Sequence, residues 1–147
     1  MIRIPRPLAA AALLLGAAVP LAAAQPAAAA QPAIYGTWLN PHGTVAVRTG
    51  PCADRLCGWI VWASQQAQED ARDGGVTRLV GTALLEDYRP DGSGSWSGTV
   101  FLPDKGRRFT SEIEQVDADN MKVKGCILHG LICRSQVWRR IGEAPRG

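Results

Sequence analysis

Few side chains in this chain could carry acid–base or metal chemistry. Both histidines lie in turn-like segments, one in Asn-Pro-His-Gly and one between two cysteines, and four carboxylates lie in comparable polar segments. Imidazoles and carboxylates at such positions can bind a cation or transfer a proton, but they are also common as solvated loop residues. The histidines are His42 and His129, and the carboxylates are Glu69, Asp70, Asp73 and Asp104.

No recognised catalytic motif accompanies these residues. The sequence contains no G-x-S-x-G, H-E-x-x-H or phosphate-binding glycine loop. A histidine-based acid–base pair would have to combine His42 or His129 with Asp70, Asp73 or Asp104. We therefore expect a protein that is not an enzyme, with no cofactor and no metal site.

The four cysteines form two close pairs, Cys52 with Cys57 and Cys126 with Cys133. An even number of cysteines in a small exported chain indicates disulfides, which leaves no thiol as a nucleophile. Three connectivities are open, and local pairing is favoured because each pair brackets a predicted hairpin turn. The alternative is a zinc site of four thiolates, but the usual two-residue spacing is absent.

The first thirty residues indicate a secretory signal peptide. Arg3 and Arg6 form a basic head, Leu8 to Val19 is an apolar run, and Ala22-Ala23-Ala24 provides a cleavage site. The run is shorter than the roughly 20 residues of a spanning helix, which disfavours an uncleaved anchor. We predict a signal peptide over 1–24, with the cut as late as residue 30, and a disordered linker over 25–33. The protein is then periplasmic or secreted, with no stable membrane span.

The charge balance argues against a nucleic-acid partner. The chain has sixteen Lys and Arg residues against thirteen Asp and Glu. Arg3 and Arg6 would leave with the signal peptide, so the mature chain is close to neutral. No cluster of basic residues resembles the surface of a nucleic-acid-binding protein.

The mature part is predicted to be a single all-β domain over 34–141, followed by a disordered tail over 142–147. Short runs with two-residue alternation are separated by Gly, Pro, Asn and Asp, which predicts an up-and-down barrel or a sandwich. The predicted strands are Ile34–Leu39, Thr44–Thr49, Leu56–Ala63, Leu79–Tyr88, Ser95–Leu102, Arg107–Glu114, Asn120–Cys126 and Leu131–Ile141. The polar segment Ser64–Arg78 is interpreted mainly as a long loop, with a short helix at Gln65–Arg72 as the alternative.

Several motifs resemble a family of small exported bacterial proteins, domain of unknown function 2147. The resemblance covers essentially the whole mature domain. Leu102 and Trp59 depart from the family pattern, so roles tied to those two positions are not carried over. The matching segments are Gly36-Thr37-Trp38, Cys52 with Leu56-Cys57-Gly58-Trp59-Ile60-Val61-Trp62, Gly81, Gly98, Pro103 to Phe109, Gly125-Cys126 and Gln136 to Arg140.

That family is similar to the calycins, the lipocalin-like barrels, which implies an eight-stranded antiparallel up-and-down β-barrel. Calycins carry a G-x-W on the first strand and an arginine on the last, and the guanidinium packs across the indole. Gly36 and Trp38 match the first feature. Arg140 is the preferred match for the second, with Arg139 as the alternative. A guanidinium over an indole gains cation–π energy, so this is expected to be a structural closure of the barrel.

Successive turns of an up-and-down barrel alternate between its two ends. His42, the acidic segment, Asp104 and His129 are therefore all expected at one open end. The five tryptophans either line a cavity or simply fill the interior. The first hypothesis is binding of a small apolar or amphipathic ligand. The alternative is an envelope interaction module that uses an exposed aromatic face of the third strand. The candidate ligand-binding residues are Trp62, Trp96 and Phe109 in the interior and His42 and His129 at the rim.

Overall fold

A computed structural model describes residues 33–146, so the predicted signal peptide and the linker as far as residue 32 lie outside the described residues. Eight antiparallel strands form a closed barrel in sequence order, and the last strand pairs with the first. This confirms the predicted up-and-down barrel. The elements are β1 (Gly36–Leu39), β2 (Val45–Cys52), β3 (Arg55–Ala63), α1 (Gln65–Asp73), β4 (Ala83–Pro90), β5 (Ser95–Leu102), β6 (Arg107–Gln115), β7 (Asn120–Ile127) and β8 (Ile132–Ile141).

Two-residue alternation decides which side chains fill the barrel. Ile113 on β6 lies opposite Val123 on β7, and both are buried. The neighbouring pairs on these strands join Glu112 to Lys124 and Glu114 to Lys122, which are oppositely charged and partly exposed. The pleat therefore separates an apolar interior from a charged outer surface, as the sequence pattern indicates.

The segment after β3 forms a helix, so interpreting it mainly as a loop was wrong. Ser64 caps α1, because its hydroxyl accepts a hydrogen bond from the Ala67 N–H at 3.2 Å. Ala71 is 1% exposed, and it joins the core with Ala67 packed beside it. The two alanines are the apolar residues of this helix and the rest are polar, so the segment resembles a polar loop in the sequence.

The fourth strand also begins later than predicted, at Ala83 and not at Leu79. Leu79 still packs into the core, but the chain turns at Gly81, which has a φ of 93°. The N–H of Thr82 donates to the carbonyl of Leu79 at 3.1 Å and completes this turn. A buried apolar residue at the start of an exposed turn therefore resembles the first residue of the strand in the sequence.

Two local disulfides join neighbouring strands of single hairpins. Cys52–Cys57 links β2 to β3, and Cys126–Cys133 links directly paired residues of β7 and β8. The strand order places these disulfides at opposite ends of the barrel. Bonded cysteine pairs suit an exported protein. Within residues 33–146, no helix has the length and apolar character needed to span a membrane.

At one end the barrel is closed by Trp38 and Arg140. The Trp38 side chain is fully buried, and the guanidinium carbon of Arg140 lies 4.1 Å from the centre of an indole ring. Arg140 also donates to three backbone carbonyls, of Ala118 at 2.6 Å, Tyr35 at 3.0 Å and Ala33. Gly36 allows this approach, because a Cβ there would overlap the guanidinium.

Candidate functional site

An apolar cavity of about 390 Å³ occupies the other end of the barrel. Every strand from β4 to β8 contributes to its wall, and β2 contributes one residue. The wall is apolar except for four polar side chains, Asn40, Asp104, Arg134 and Gln136. The main apolar lining residues are Val45, Leu84, Val100, Phe109, Val123 and Trp138.

The register of β8 explains how two polar side chains enter this wall. Trp138 lies opposite Met121, and both are buried in the core. Residues two apart on a strand share a face, so Gln136, Arg134 and Ile132 point the same way as Trp138. All four line the cavity.

The helix α1 covers part of the open end and is attached on both sides. The Ser64 N–H donates to the Thr44 carbonyl at 2.8 Å, which joins the start of the helix to the β1–β2 turn. Gly74 at the other end packs against Pro103 and Asp104 in the β5–β6 turn, where a Cβ would overlap the Pro103 carbonyl oxygen. The helix residues contribute nothing to the cavity wall, so the mouth lies beside α1.

The β7–β8 hairpin provides an apolar margin on the opposite side of the mouth. Ile127 and Ile132 line the cavity and are nevertheless 42% and 50% exposed. Leu128 and Leu131 at the hairpin tip are 60% and 84% exposed. Apolar side chains therefore continue from the cavity wall out to its solvent-facing edge.

The three aromatic candidates occupy different places. Phe109 lines the open-end cavity, whereas Trp96 lines a second cavity of about 330 Å³ at the closed end. The register places Trp62 on the outer surface of the barrel. Trp62 pairs with Ala46, and the adjacent pair, Val45 and Ala63, faces the interior. Adjacent pairs face opposite sides of a sheet, so Trp62 faces outward.

The two histidines lie in exposed turns at the open end of the barrel, in the β1–β2 and β7–β8 hairpins. Neither His42 nor His129 belongs to the wall of the open-end cavity. Two of the three acidic residues of α1 accept hydrogen bonds within the helix, where Gln65 donates to Glu69 and Gln66 to Asp70, each at 2.8 Å. In the described part of the chain, no three His, Cys, Asp or Glu side chains group as metal ligands.

Arg134 and Gln136 are the cavity residues that sequence reasoning missed. Alternation outward from Trp138 along β8 could have found them, because every second residue from an inward-facing tryptophan also faces inward. The run Ile132 to Ile141 contains three arginines, and its apolar residues fall on both faces of the strand, so its inward face is hard to recognise without the register.

A closed eight-stranded barrel with a deep cavity at one end and a Trp–Arg closure at the other is a lipocalin-like β-barrel. The structure is similar to that of a solved protein described as "Protein HP1028 from the human pathogen Helicobacter pylori belongs to the lipocalin family". The TM-score is 0.58 at 11% sequence identity, over 74% of this chain and 83% of the other. At that identity the likeness is one of fold.

The chain belongs to the family described as "Uncharacterized protein conserved in bacteria (DUF2147)", whose model matches residues 36–140. This confirms the resemblance that the sequence motifs indicate. A comparison with curated proteins gives no match.

Proposed function

We propose that this protein is exported and binds a small apolar or amphipathic molecule in its open-end cavity. The observation that carries the proposal is the apolar wall of a cavity of about 390 Å³. Ligand sites in proteins are typically concave, mostly apolar and about 300–1,000 Å³ in volume, with a few polar groups that orient the ligand. The cavity has each of these properties.

The exposure of the mouth supports the same proposal. Ile127 and Ile132 belong to the cavity wall, yet about half of each side chain meets solvent. Covering such a surface is favourable by roughly 25 cal/mol for each Å² removed from water. A ligand that extends from the cavity to the mouth would bury both isoleucines together with the deeper wall.

The arrangement favours binding over catalysis. The histidines lie in turns outside the cavity wall, and the wall's own carboxylate, Asp104, is paired with Lys105 at 3.3 Å. Burial raises the pKa of Tyr88 well above its usual range, so this phenol stays protonated in the core. These groups offer no pair suited to proton transfer at a bound ligand, and the proposed function is non-enzymatic.

The replacement Gly125→Phe tests the cavity as the binding site. Gly125 lines the cavity, and a Cβ there would meet only Val100, at an ordinary contact distance of 3.7 Å. A phenyl ring can therefore enter the cavity without displacing backbone. Titration with the neutral fluorescent probe N-phenyl-1-naphthylamine should show one site in the native protein. The variant should bind it about tenfold more weakly or worse, because the ring removes the space and contact area.

The matched control is Ser135→Phe, which adds the same ring to the outer face of the adjacent strand. Ser135 lies opposite Lys124 and is exposed. This variant should bind the probe like the native protein. Native protein that fails to bind the probe, or equal binding by Gly125→Phe and the native protein, would contradict the proposal.

The alternative function is an envelope interaction module that docks through the outer face of β3. Trp59 lies opposite the exposed Arg48, so it shares the outer face with Trp62. Both rings are only half-buried, which is the observation in favour of this role. Crosslinking in the host should then recover one discrete partner that is lost on Trp59→Ser while the fold is kept. Recovery of the same partner with this variant would contradict docking through Trp59.

A further inference from the structure

We propose that the ligand carries a carboxylate head group, which the guanidinium of Arg134 binds inside the mouth of the cavity. This inference rests on the proposed function and names the chemical class of its ligand. An amphiphile with one carboxylate and an apolar chain matches the cavity, since the chain would contact the apolar wall while the head group meets Arg134.

The first argument is that Arg134 has no partner within the described residues. No Asp or Glu oxygen in residues 33–146 lies within 4.0 Å of its side-chain nitrogens, and its guanidinium donates no hydrogen bond to the described protein. The other inward-facing arginine of β8, Arg140, makes three hydrogen bonds to carbonyls. On the outer surface, Arg108 holds Glu86 with two hydrogen bonds, at 2.8 and 3.0 Å. Arg134 is thus an exposed cation at the edge of an apolar cavity wall, and no ion pair or side-chain hydrogen bond within the described residues engages it.

The second argument is the space beside the guanidinium. Arg134 lies opposite Gly125, which in turn lies opposite Ser111. Gly125 has no side chain, and the nearest atom to a Cβ there is the Val100 methyl at 3.7 Å. The strand next to Arg134 therefore leaves room for a planar group of carboxylate size. Arginine suits this group because its fork of N–H donors matches the two carboxylate oxygens.

The third argument is a second donor on the same strand. The Gln136 carbonyl oxygen accepts a hydrogen bond from the Trp138 indole at 3.2 Å. That bond orients the side-chain amide with its oxygen toward the indole, and its N–H₂ group donates no hydrogen bond within the described residues, so it is left to donate to a ligand. Arg134 and Gln136 are two residues apart and share the cavity face, so both can donate to one head group.

The charge at the mouth is compatible with an anion. Asp104 is the acidic residue of the cavity wall, and Lys105 lies 3.3 Å from its carboxylate and offsets its charge. The lining then retains one uncompensated positive charge, on Arg134. A cationic head group would be repelled by that charge, and a neutral one would leave it unpaired.

The test is competition against N-phenyl-1-naphthylamine by three ligands with the same ten-carbon chain: decanoate, 1-decanol and decyltrimethylammonium. In the native protein, decanoate should bind about tenfold or more tightly than decanol, as expected for hydrogen bonds to a charged group. The cationic ligand should bind the most weakly. Arg134→Gln should remove the preference for decanoate while decanol binds as before, and Arg134→Lys should keep part of it.

The matched control is Arg139→Gln, which removes the same charge from the same strand at a residue that is also exposed but does not line the cavity. Arg139 lies opposite Leu39 and Asn120, and its alternation with Trp138 and Arg140 places it outside. This variant should keep the full preference for decanoate. Equal affinity for decanoate and decanol in the native protein, or a preference that survives Arg134→Gln, would overturn the carboxylate inference and leave cavity binding intact. Failure of the native protein to bind the neutral probe would instead overturn the proposed function.

Discussion

Replacing Trp38 by alanine should lower the free energy of unfolding by about 3–5 kcal/mol, the usual cost of truncating a fully buried large aromatic side chain. The Trp38 side chain is 0% exposed. Its indole N–H donates to the carbonyl of Ile34 at 3.1 Å and to the hydroxyl of Thr49 at 3.0 Å. Truncation would remove these bonds, leave a cavity and expose one face of Arg140. Urea denaturation followed by circular dichroism measures the loss.

The milder variant Trp38→Phe keeps most of the ring but loses the N–H, so about 1 kcal/mol should be lost through the missing hydrogen bonds. Trp38→Phe is the variant to measure if Trp38→Ala does not fold.

Arg140→Ala should lower the free energy of unfolding several times more than Arg139→Ala does. Arg139 is exposed, and surface changes usually alter this free energy by no more than about 0.5 kcal/mol. In a double-mutant cycle, Trp38 and Arg140 should show coupling of about 1 kcal/mol. Additive effects would contradict the closure that the stacked geometry indicates.

Replacing Gly74 by alanine should destabilise the protein by about 2–3 kcal/mol, at the upper end of the cost of overpacking. Gly74 is at the C-terminal end of α1, and its added Cβ would overlap the Pro103 carbonyl oxygen and lie 2.8 Å from the Asp104 carbonyl carbon. The clash is with backbone, so no side-chain rotation can relieve it. The contact is mutual, because a Cβ at Gly106 would lie 2.6 Å from the Gly74 oxygen.

The control for this change is Gly142→Ala, where a Cβ would meet nothing within 4 Å. That variant should unfold at the same urea concentration as the native protein. In Gly74→Ala, hydrogen exchange should become faster at the amides of α1 before it does in the barrel, because the helix must move away from the β5–β6 turn. Unchanged stability and unchanged exchange in α1 would show that the turn, and not the helix, adjusts.

The two ends of the barrel have different physical roles. At the closed end, the Arg140 guanidinium stacks on the Trp38 indole and donates to backbone carbonyls, so both side chains serve the closure of the barrel. At the open end, Arg134 and Gln136 retain free donors among apolar side chains. Substitutions at the closed end should therefore change the stability of the fold, and substitutions at the open end should change ligand binding.

Local patterns in the sequence were sufficient for the strands, and the family resemblance decided between a barrel and a sandwich. Alternation in segments such as Arg107–Glu114 and Asn120–Cys126 defines strands with one apolar face, and tight turns between them favour antiparallel neighbours. The cysteines bracket the turns of their own hairpins, so pairing of neighbouring strands also brings them within bonding distance. The helix α1 was underestimated because its contact with the core is made by two small residues, Ala67 and Ala71.

The sequence by itself determined an all-β domain of short strands with local disulfides, because alternation and turn chemistry act between residues close along the chain, and the family resemblance implied that the strands close into a barrel. Only the tertiary structure reveals the cavity. Its shape depends on which inward-facing side chains, from strands that are distant in the sequence, lie at the same height along the barrel axis. Gly125 on β7 leaves space beside Arg134 on β8, and Val100 on β5 borders the same space. That register places the exposed guanidinium of Arg134, which has no partner among residues 33–146, beside an apolar wall, and the composition of β8 alone does not reveal this.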